Sequence, residues 1–206
     1  ESAAVPAGYG KAAPDGPPVK LLEAPKLLDA GKVFEGATVD LDISPLTQAR
    51  AYRVRLSADA GFLDILQEAT TPTPRATFGG LSDGVYFVKL SAIDGADLEG
   101  LPATYAIEHA LNTLALLPPA LTATGKMSRY LFRWQAEGQG ARSYRFQLYR
   151  NDDPRPLIDQ TALAKPEITV TDLPQGSYTW RVMSRTITHD RRIDKWSEPE
   201  PFHIGD

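Results

Sequence analysis

Short runs in which apolar and polar residues alternate cover most of this chain from Lys32 onward. Every second residue is apolar in residues 39–43 (Val39, Leu41, Ile43) and again in residues 52–56. This alternation is typical of β-strands that bury one face. Similar short runs follow at residues 62–66, 76–78, 85–90 and 104–107, with Gly-, Pro- and Asp-rich turn signals between them. Because no long amphipathic helix is indicated, the pattern predicts antiparallel sheets.

Two motifs recur along the chain at a constant spacing of 92 residues (144 − 52 and 173 − 81). Tyr52-x-Val54-x-Leu56 returns as Tyr144-x-Phe146-x-Leu148, and Leu81-x-x-Gly84-x-Tyr86 returns as Leu173-x-x-Gly176-x-Tyr178. A constant spacing across separate motifs indicates two copies of one structural unit. The shared positions hold packing and turn residues, so the repeat predicts two similar cores and indicates no chemistry.

The repeat divides the 206 residues into four segments. Residues 1–26 are rich in Pro, Gly and Ala, which predicts a linker, in part extended. The two copies are predicted at 27–110 and 120–206. Residues 111–119 are predicted as an inter-domain linker, because Pro118 and Pro119 lack the N–H groups that a central strand donates.

Composition excludes several classes of function. The net charge of −4 argues against a chain that binds nucleic acid, and no apolar run reaches the length of a membrane helix. The chain contains no cysteine, which excludes disulfides and thiolate chemistry. Its first residue, Glu1, is not an initiator Met, so we expect a fragment of a longer protein. We therefore expect no nucleic-acid partner and no direct insertion into a membrane.

The second copy resembles a fibronectin type III module. The resemblance rests on Leu173-Pro174-x-Gly176-x-Tyr178-x-Trp180-x-Val182, followed by Trp196-Ser197-Glu198-Pro199. It implies an all-β chain of two tandem antiparallel immunoglobulin-like β-sandwiches of about seven strands each. It also implies a tyrosine corner at Tyr86 and Tyr178. Core positions are expected at four residues: Trp134, Trp180, Leu81 and Leu173.

The first copy departs from that pattern, since Leu98-Glu99-Gly100-Leu101 stands in place of Trp-Ser-x-Pro. Together with Leu81-Ser82-Asp83-Gly84-x-Tyr86, this segment resembles the repeats of bacterial FecR-domain proteins, which are exported and often carry a LysM module. Residues 5–10 and 17–25 resemble the tail of a FecR domain. The resemblance implies a periplasmic or extracellular location, at the bacterial envelope.

Candidate catalytic and metal-binding residues are few. His109, His189 and His203 have no metal-ligand spacing, and no Gly-x-Ser-x-Gly elbow or phosphate-binding glycine loop is present. The acidic loop 94–99 could hold a cation such as calcium, but Asp94-Gly95 is equally what a tight turn requires. The sequence leaves that choice open. We expect no enzyme activity, no cofactor and no metal site.

The best candidate for binding is a basic hairpin in the second copy. Its residues are Arg185, His189, Arg191, Arg192 and Lys195. Loops at the end of a sandwich often carry binding, but Asp190 and Asp194 offset the basic charge and favour a solvated loop.

The expected function is a non-catalytic binding or spacer module that contacts a protein or a cell-wall polysaccharide through loops or edge strands. The alternatives are a carbohydrate-binding or accessory role beside a polysaccharide-active enzyme, which aromatics exposed on one sheet would favour, and a metal-dependent adhesin. The sequence does not indicate the ligand, the upstream domains or the oligomeric state.

Overall fold

The computed structural model describes residues 5–11, 16–124, 127–151, 153–187 and 192–205. Within those ranges the regular structure consists of β-strands, without a helix. The chain divides into two compact units, residues 1–111 and residues 112–206. The prediction of an all-β chain with two tandem sandwiches of fibronectin type III kind is confirmed.

The first sandwich consists of two layers of mainly antiparallel strands and a short N-terminal pair of strands. Its strands are β1 (Tyr9–Gly10), β2 (Val19–Lys20), β3 (Val33–Phe34), β4 (Thr38–Asp42), β5 (Ala51–Ser57), β6 (Ile65–Thr71), β7 (Arg75–Gly79), β8 (Gly84–Ile93) and β9 (Ala103–His109). One layer pairs β4 with β7, and the other has the order β3-β9-β8-β5-β6. Strand β3 joins β9 in parallel, and the remaining pairs are antiparallel.

The core of the first sandwich lies between these layers and is aliphatic. Leu41 from one layer and Val54 and Leu90 from the other are fully buried, because alternation places every second side chain of each strand on the inner face. The strand predicted at residues 62–66 is wrong in its position, since β6 begins at Ile65. Phe62 instead lies in a tight turn with φ +57°, where a strand cannot continue.

The predicted linker at residues 1–26 is wrong in its second half. The Leu22 side chain packs against the first core, and its carbonyl accepts a hydrogen bond from the Leu101 N–H at 2.9 Å. Gly100 makes this close approach possible, because a Cβ there would lie 2.7 Å from the Leu22 carbonyl oxygen. The second half of this Pro- and Gly-rich segment therefore packs against the first sandwich. Composition alone does not distinguish such a packed segment from a free linker.

The second sandwich repeats the arrangement with longer strands. They are β10 (Thr113–Thr124), β11 (Met127–Glu137), β12 (Ala141–Arg150), β13 (Ile158–Leu163), β14 (Glu167–Thr171), β15 (Gly176–Ile187), β16 (Arg192–Trp196) and β17 (Glu200–Ile204). One layer has the order β10-β11-β14 and the other β13-β12-β15-β16, with β17 pairing the first half of β15. Between β16 and β17, Ser197 stays attached to Val182 through hydrogen bonds of its N–H and Oγ at 2.8 and 3.1 Å.

The predicted linker at residues 111–119 is wrong, because Thr113–Thr124 is a strand of the second sandwich. Strand β10 lies at the edge of its sheet, so one side of its ladder needs no partner. The register also shifts between Leu117 and Ala120: β10 advances three residues while β11 advances two. Pro118 and Pro119 occupy that bulge, where their missing N–H groups remove little ladder pairing.

Aromatic rings fill the second core, unlike the first. Phe132 of β11 meets Phe146, Trp180 and Phe202 of the opposite layer at ring distances of 5.0, 5.1 and 5.3 Å. Trp134 and Trp180 are 2% and 1% exposed, and Trp134 packs edge-on against Tyr144. Phe132 thus joins the two layers of this sandwich.

A tyrosine closes one corner of each sandwich. The Tyr86 hydroxyl donates to the Ser82 carbonyl at 2.8 Å, and the Tyr178 hydroxyl donates to the Pro174 carbonyl at 2.6 Å. Leu81 and Leu173 are partly buried and pack against the two cores. The two copies therefore share the corner geometry as well as its sequence.

Candidate binding face

The outer surface of the second sandwich carries a set of long polar and aromatic side chains on β12, β15 and β16. We call it the arginine face and define it by Arg145, Gln147, Tyr149, Arg181 and Trp196. These positions face outward because Tyr144, Phe146 and Leu148 of β12 and Trp180 and Val182 of β15 are in the core. The strand period thus gathers side chains that are up to 51 positions apart in the sequence (196 − 145).

Trp196 lies on β16, the last strand in the order of this sheet, and its ring contacts arginines of β12 and β15. Its side chain is 36% exposed, and the Arg181 guanidinium lies 4.4 Å from the centre of its indole ring. The Arg145 guanidinium lies 5.9 Å from the same ring, and Arg181 also lies 5.6 Å from the Tyr149 ring. Such stacks combine cation–π attraction with apolar contact. They hold the aromatic and cationic side chains in fixed positions on the surface.

Neutral groups hold the Arg181 guanidinium. Its Nε donates to the Gln147 Oε1 at 2.9 Å, and its Nη2 donates to the Tyr149 hydroxyl oxygen at 3.0 Å. The Tyr149 hydroxyl donates in turn to the Gln147 Oε1 at 2.8 Å. The Gln147 amide is completed by Asp159, which accepts from Nε2 at 3.0 Å. Arg181 is therefore fixed in position by neutral acceptors, and no carboxylate of the described residues is hydrogen-bonded to it.

Arg145, in contrast, is paired with a carboxylate. Its Nε and Nη2 donate to the two oxygens of Asp159 at 2.7 and 2.5 Å. The hydrogen bonds from Arg145 hold the pKa of Asp159 below its ordinary value and raise the pKa of Arg145. This bidentate pair fixes the edge strand β13 to β12 beside the arginine face.

The hairpin predicted from the sequence adjoins the arginine face, and its described cations have partners. Arg185 and Arg192 both bond Asp194, whose pKa they hold far below the ordinary value, with Arg185 as the larger cause. Lys195 donates to the Asn112 carbonyl at 2.5 Å. His189 and Arg191 lie outside the described residues. The structure thus brings Arg185 and Arg192 together around one carboxylate.

On the corresponding face of the first sandwich, both outer arginines of β5 are paired with glutamates. Arg53 and Arg55 of β5 both pair with Glu68 of β6 and with Glu99. Glu99 also accepts a hydrogen bond from the Ser91 hydroxyl at 2.6 Å. Although burial opposes ionisation of Glu99, the Ser91 bond and the Arg53 charge keep its pKa below the ordinary value. The first sandwich thus balances the charge of its outer arginines internally.

The carboxylates of the acidic loop 94–99 have partners too. Asp94 accepts hydrogen bonds from the N–H groups of Ala96 and Leu98, and Asp97 pairs with Arg50. Among the residues that the structure describes, no three His, Asp or Glu side chains are grouped closely enough to hold a metal ion.

The two described histidines lie in different surroundings. His109 is buried between the carbonyls of Ser82 and Gly36, at 3.0 and 2.9 Å from its ring nitrogens. His203 is exposed on β17 beside Ser177. Each of these histidines therefore contacts its own sandwich, and the two do not contact each other.

Sequence reasoning did not identify the arginine face, although one signal was available. Arg53 and Arg145 occupy the same outward position of the two copies, 92 residues apart, between core residues on either side. A charged residue repeated at a solvent-facing position marks a shared surface. The stack of Trp196 on Arg181 could not be read from the repeat, because Lys89 stands at the position that matches Arg181.

No helix in the described ranges is both long and apolar enough to cross a membrane. No protein-family model matches the sequence. No curated protein matches it either.

Two solved structures show similarity to the chain. A two-domain fibronectin type III segment of chicken tenascin is 18% identical, covers 89% of this chain and 100% of its own, and has a TM-score of 0.42. The fibronectin(III)-like modules of Clostridium thermocellum CbhA are 16% identical, with 86% and 90% covered and a TM-score of 0.34. Because both TM-scores are below 0.5, the fold is described from the strand order and the two tyrosine corners of this chain and not from these similarities.

Proposed function

We propose that this chain is a non-catalytic binding module of an exported bacterial protein, and that its second sandwich binds a protein partner through the arginine face. The observation that carries the proposal is the solvent-facing stack of Tyr149, Arg181 and Trp196. The location at the envelope, periplasmic or extracellular, belongs to the same proposal. It is supported by the resemblance of residues 81–86 and 98–100 to the repeats of FecR-domain proteins.

The composition of the face favours a protein partner. Trp, Tyr and Arg are the residue types that most often dominate the binding energy of protein interfaces. Here their side chains are already held in place by hydrogen bonds to Gln147 and by ring stacking. Less conformational entropy is therefore lost on association than for mobile surface side chains.

A carbohydrate-binding role has one observation in its favour, since Trp196 and Tyr149 share one sheet face. A sugar that stacks on an aromatic ring needs a free ring face, however. The Arg181 guanidinium lies 4.4 Å from the centre of the Trp196 ring and covers one of its two faces. The geometry therefore favours a protein over a polysaccharide.

The test compares the chain with two single variants for capture of envelope proteins and for sedimentation with purified cell-wall polysaccharide. Trp196→Ala removes the ring against which Arg145 and Arg181 lie, and Tyr9→Ala is the matched control, since Tyr9 is a 43% exposed aromatic in the N-terminal hairpin. We expect a captured protein that is lost with Trp196→Ala and kept with Tyr9→Ala. Capture of no protein, equal capture by both variants, or sedimentation with polysaccharide that depends on Trp196 would contradict the proposal.

A further inference from the structure

We infer that the arginine face is a carboxylate-binding site, in which the Arg181 guanidinium donates hydrogen bonds to the carboxylate. Its ligand is an acidic segment of the partner, rich in Asp or Glu. The inference rests on the proposed function only in assigning binding to this face.

The first step is the donor capacity of Arg181. A guanidinium carries five N–H groups in a planar fork. In the described part of the chain two of them are used, by Gln147 and Tyr149, and both acceptors are neutral. The side chain is partly exposed. Arg181 therefore offers both charge and hydrogen-bond donors to an outside acceptor.

The second step is the local charge. Four arginines on or beside the arginine face (Arg145, Arg181, Arg185 and Arg192) stand against two carboxylates, Asp159 and Asp194. These six described residues have an excess of two positive charges (4 − 2), whereas the whole chain carries −4. A local excess of sign opposite to the rest of the molecule attracts and orients an anionic partner segment.

The third step comes from the first sandwich, in which a carboxylate of the same chain, Glu99, binds to the outer arginines of the sheet. Glu99 lies beside β8 with its carboxylate 2.5 Å from Arg53 and within hydrogen-bond distance of Ser91. It is placed opposite Ile93, the position that matches Arg185 at a distance of 92 residues. Glu99 thus shows how a carboxylate fits onto the outer arginines of this sheet.

In the second sandwich the corresponding carboxylate is used elsewhere. Asp194 lies opposite Arg185 in the ladder, as Glu99 lies opposite Ile93. Its side chain is one carbon shorter, and it bonds Arg185 and Arg192. No carboxylate of β16 therefore reaches Arg181 among the described residues. Glu99 binds Arg53 and Arg55, which match Arg145 and Gln147, so the position left without a carboxylate in the second sandwich is Arg181, on the neighbouring strand β15.

The fourth step is the choice of anion. The Arg145 fork is already occupied by Asp159, so a single guanidinium remains for the ligand. One planar fork matches one planar carboxylate, whereas phosphate groups and nucleic acid are usually bound by several cations. The aromatic rings of Trp196 and Tyr149 border Arg181 and reduce its contact with water, which strengthens the ion pair.

The test is a titration with a tetraglutamate peptide with blocked termini, followed by the NMR indole N–H signals of the three tryptophans. We expect the Trp196 signal to shift while those of the buried Trp134 and Trp180 stay. Arg181→Gln should lower the affinity about tenfold or more, the worth of one charge-assisted hydrogen bond. Lys89→Gln, the matching position of the first sandwich, should leave it unchanged. Added salt should weaken binding, and tetraglutamine should not bind.

A second variant, Arg181→Lys, distinguishes the effect of the positive charge from that of the planar guanidinium. It also keeps the test valid if Arg181→Gln does not fold. It keeps the charge and loses the fork, so we expect an intermediate loss of affinity. Equal binding by Arg181→Gln, equal binding of tetraglutamine, or stronger binding of inorganic phosphate than of the peptide would overturn the inference. If an envelope protein is captured through Trp196 but tetraglutamate does not bind, only the carboxylate inference fails. If tetraglutamate binds through Arg181 and no protein is captured, only the proposed function fails.

Discussion

Phe132 gives the most direct test of how the second sandwich is held together. We consider Phe132→Leu, which places in the second copy the type of residue that the first copy has at Leu41. Phe132 is fully buried and contacts three aromatic rings of the opposite layer, at 5.0 to 5.3 Å. Leucine remains apolar at this position but loses all three ring pairs.

The size of the effect follows from those pairs. Each aromatic pair contributes about 0.5–1.5 kcal/mol beyond burial, so three contribute about 1.5–4.5 kcal/mol. Because leucine keeps part of the packing and the pairs are not additive, we expect a loss of about 2–3 kcal/mol in the free energy of unfolding. With an ordinary urea dependence for a domain of this size, the midpoint should fall by about 1–2 M.

Tryptophan fluorescence is the assay, because all three tryptophans lie in the second sandwich and report its unfolding alone. Leu41→Ala is the control, since it opens a cavity in the first core and should leave the tryptophan transition in place. A loss below about 1 kcal/mol for Phe132→Leu would refute the reasoning, as would an equal shift of the tryptophan transition by Leu41→Ala.

The remaining predictions concern backbone approach, the tyrosine corner and pH. Gly100→Ala should destabilise the first sandwich by about 1–3 kcal/mol in calorimetry, because its Cβ would meet the backbone of residue 22. Gly95→Ala is the control and should be nearly neutral, since the space around a Cβ there is open. Equal effects of the two variants would contradict the close approach of residue 22. Tyr178→Phe should cost about 1 kcal/mol in tryptophan-monitored unfolding, and no cost would mean that the corner hydrogen bond contributes nothing. The pKa of Asp194 is lowered by Arg185, so this ion pair stabilises fully above the ordinary carboxyl pKa of about 3.9 and is lost as pH falls toward the lowered value. Asp194→Asn should therefore reduce the acid sensitivity of the second sandwich, and an unchanged pH profile would argue against the pair.

The fold could be predicted from the sequence because its determinants are local and occur twice. Alternation places Val54 and Leu56 inward, and the spacing of Leu81, Gly84 and Tyr86 defines one corner. These signals depend on neighbouring residues and on the strand period, which the sequence shows directly. The prolines at 118 and 119 misled, because their effect depends on whether a strand lies at an edge, and sheet order is not visible in a single strand.

The candidate site could be predicted only in part. The hairpin with Arg185 and Arg192 stands out as a cluster in the sequence, but its pairing with Asp194 depends on strand register. The arginine face joins Arg145, Arg181 and Trp196 from three strands. Which side chains meet across β12, β15 and β16 follows from the ladder pairing, so the sequence showed the parts of this face without their arrangement.

Mapping of backbone amide shifts along the full chain, with and without a captured envelope protein, tests the central claim most directly. We predict that the largest changes fall on residues 145–149, 179–185 and 194–196 of the second sandwich. Changes confined to the first sandwich, or to the opposite layer formed by β10, β11 and β14, would contradict it.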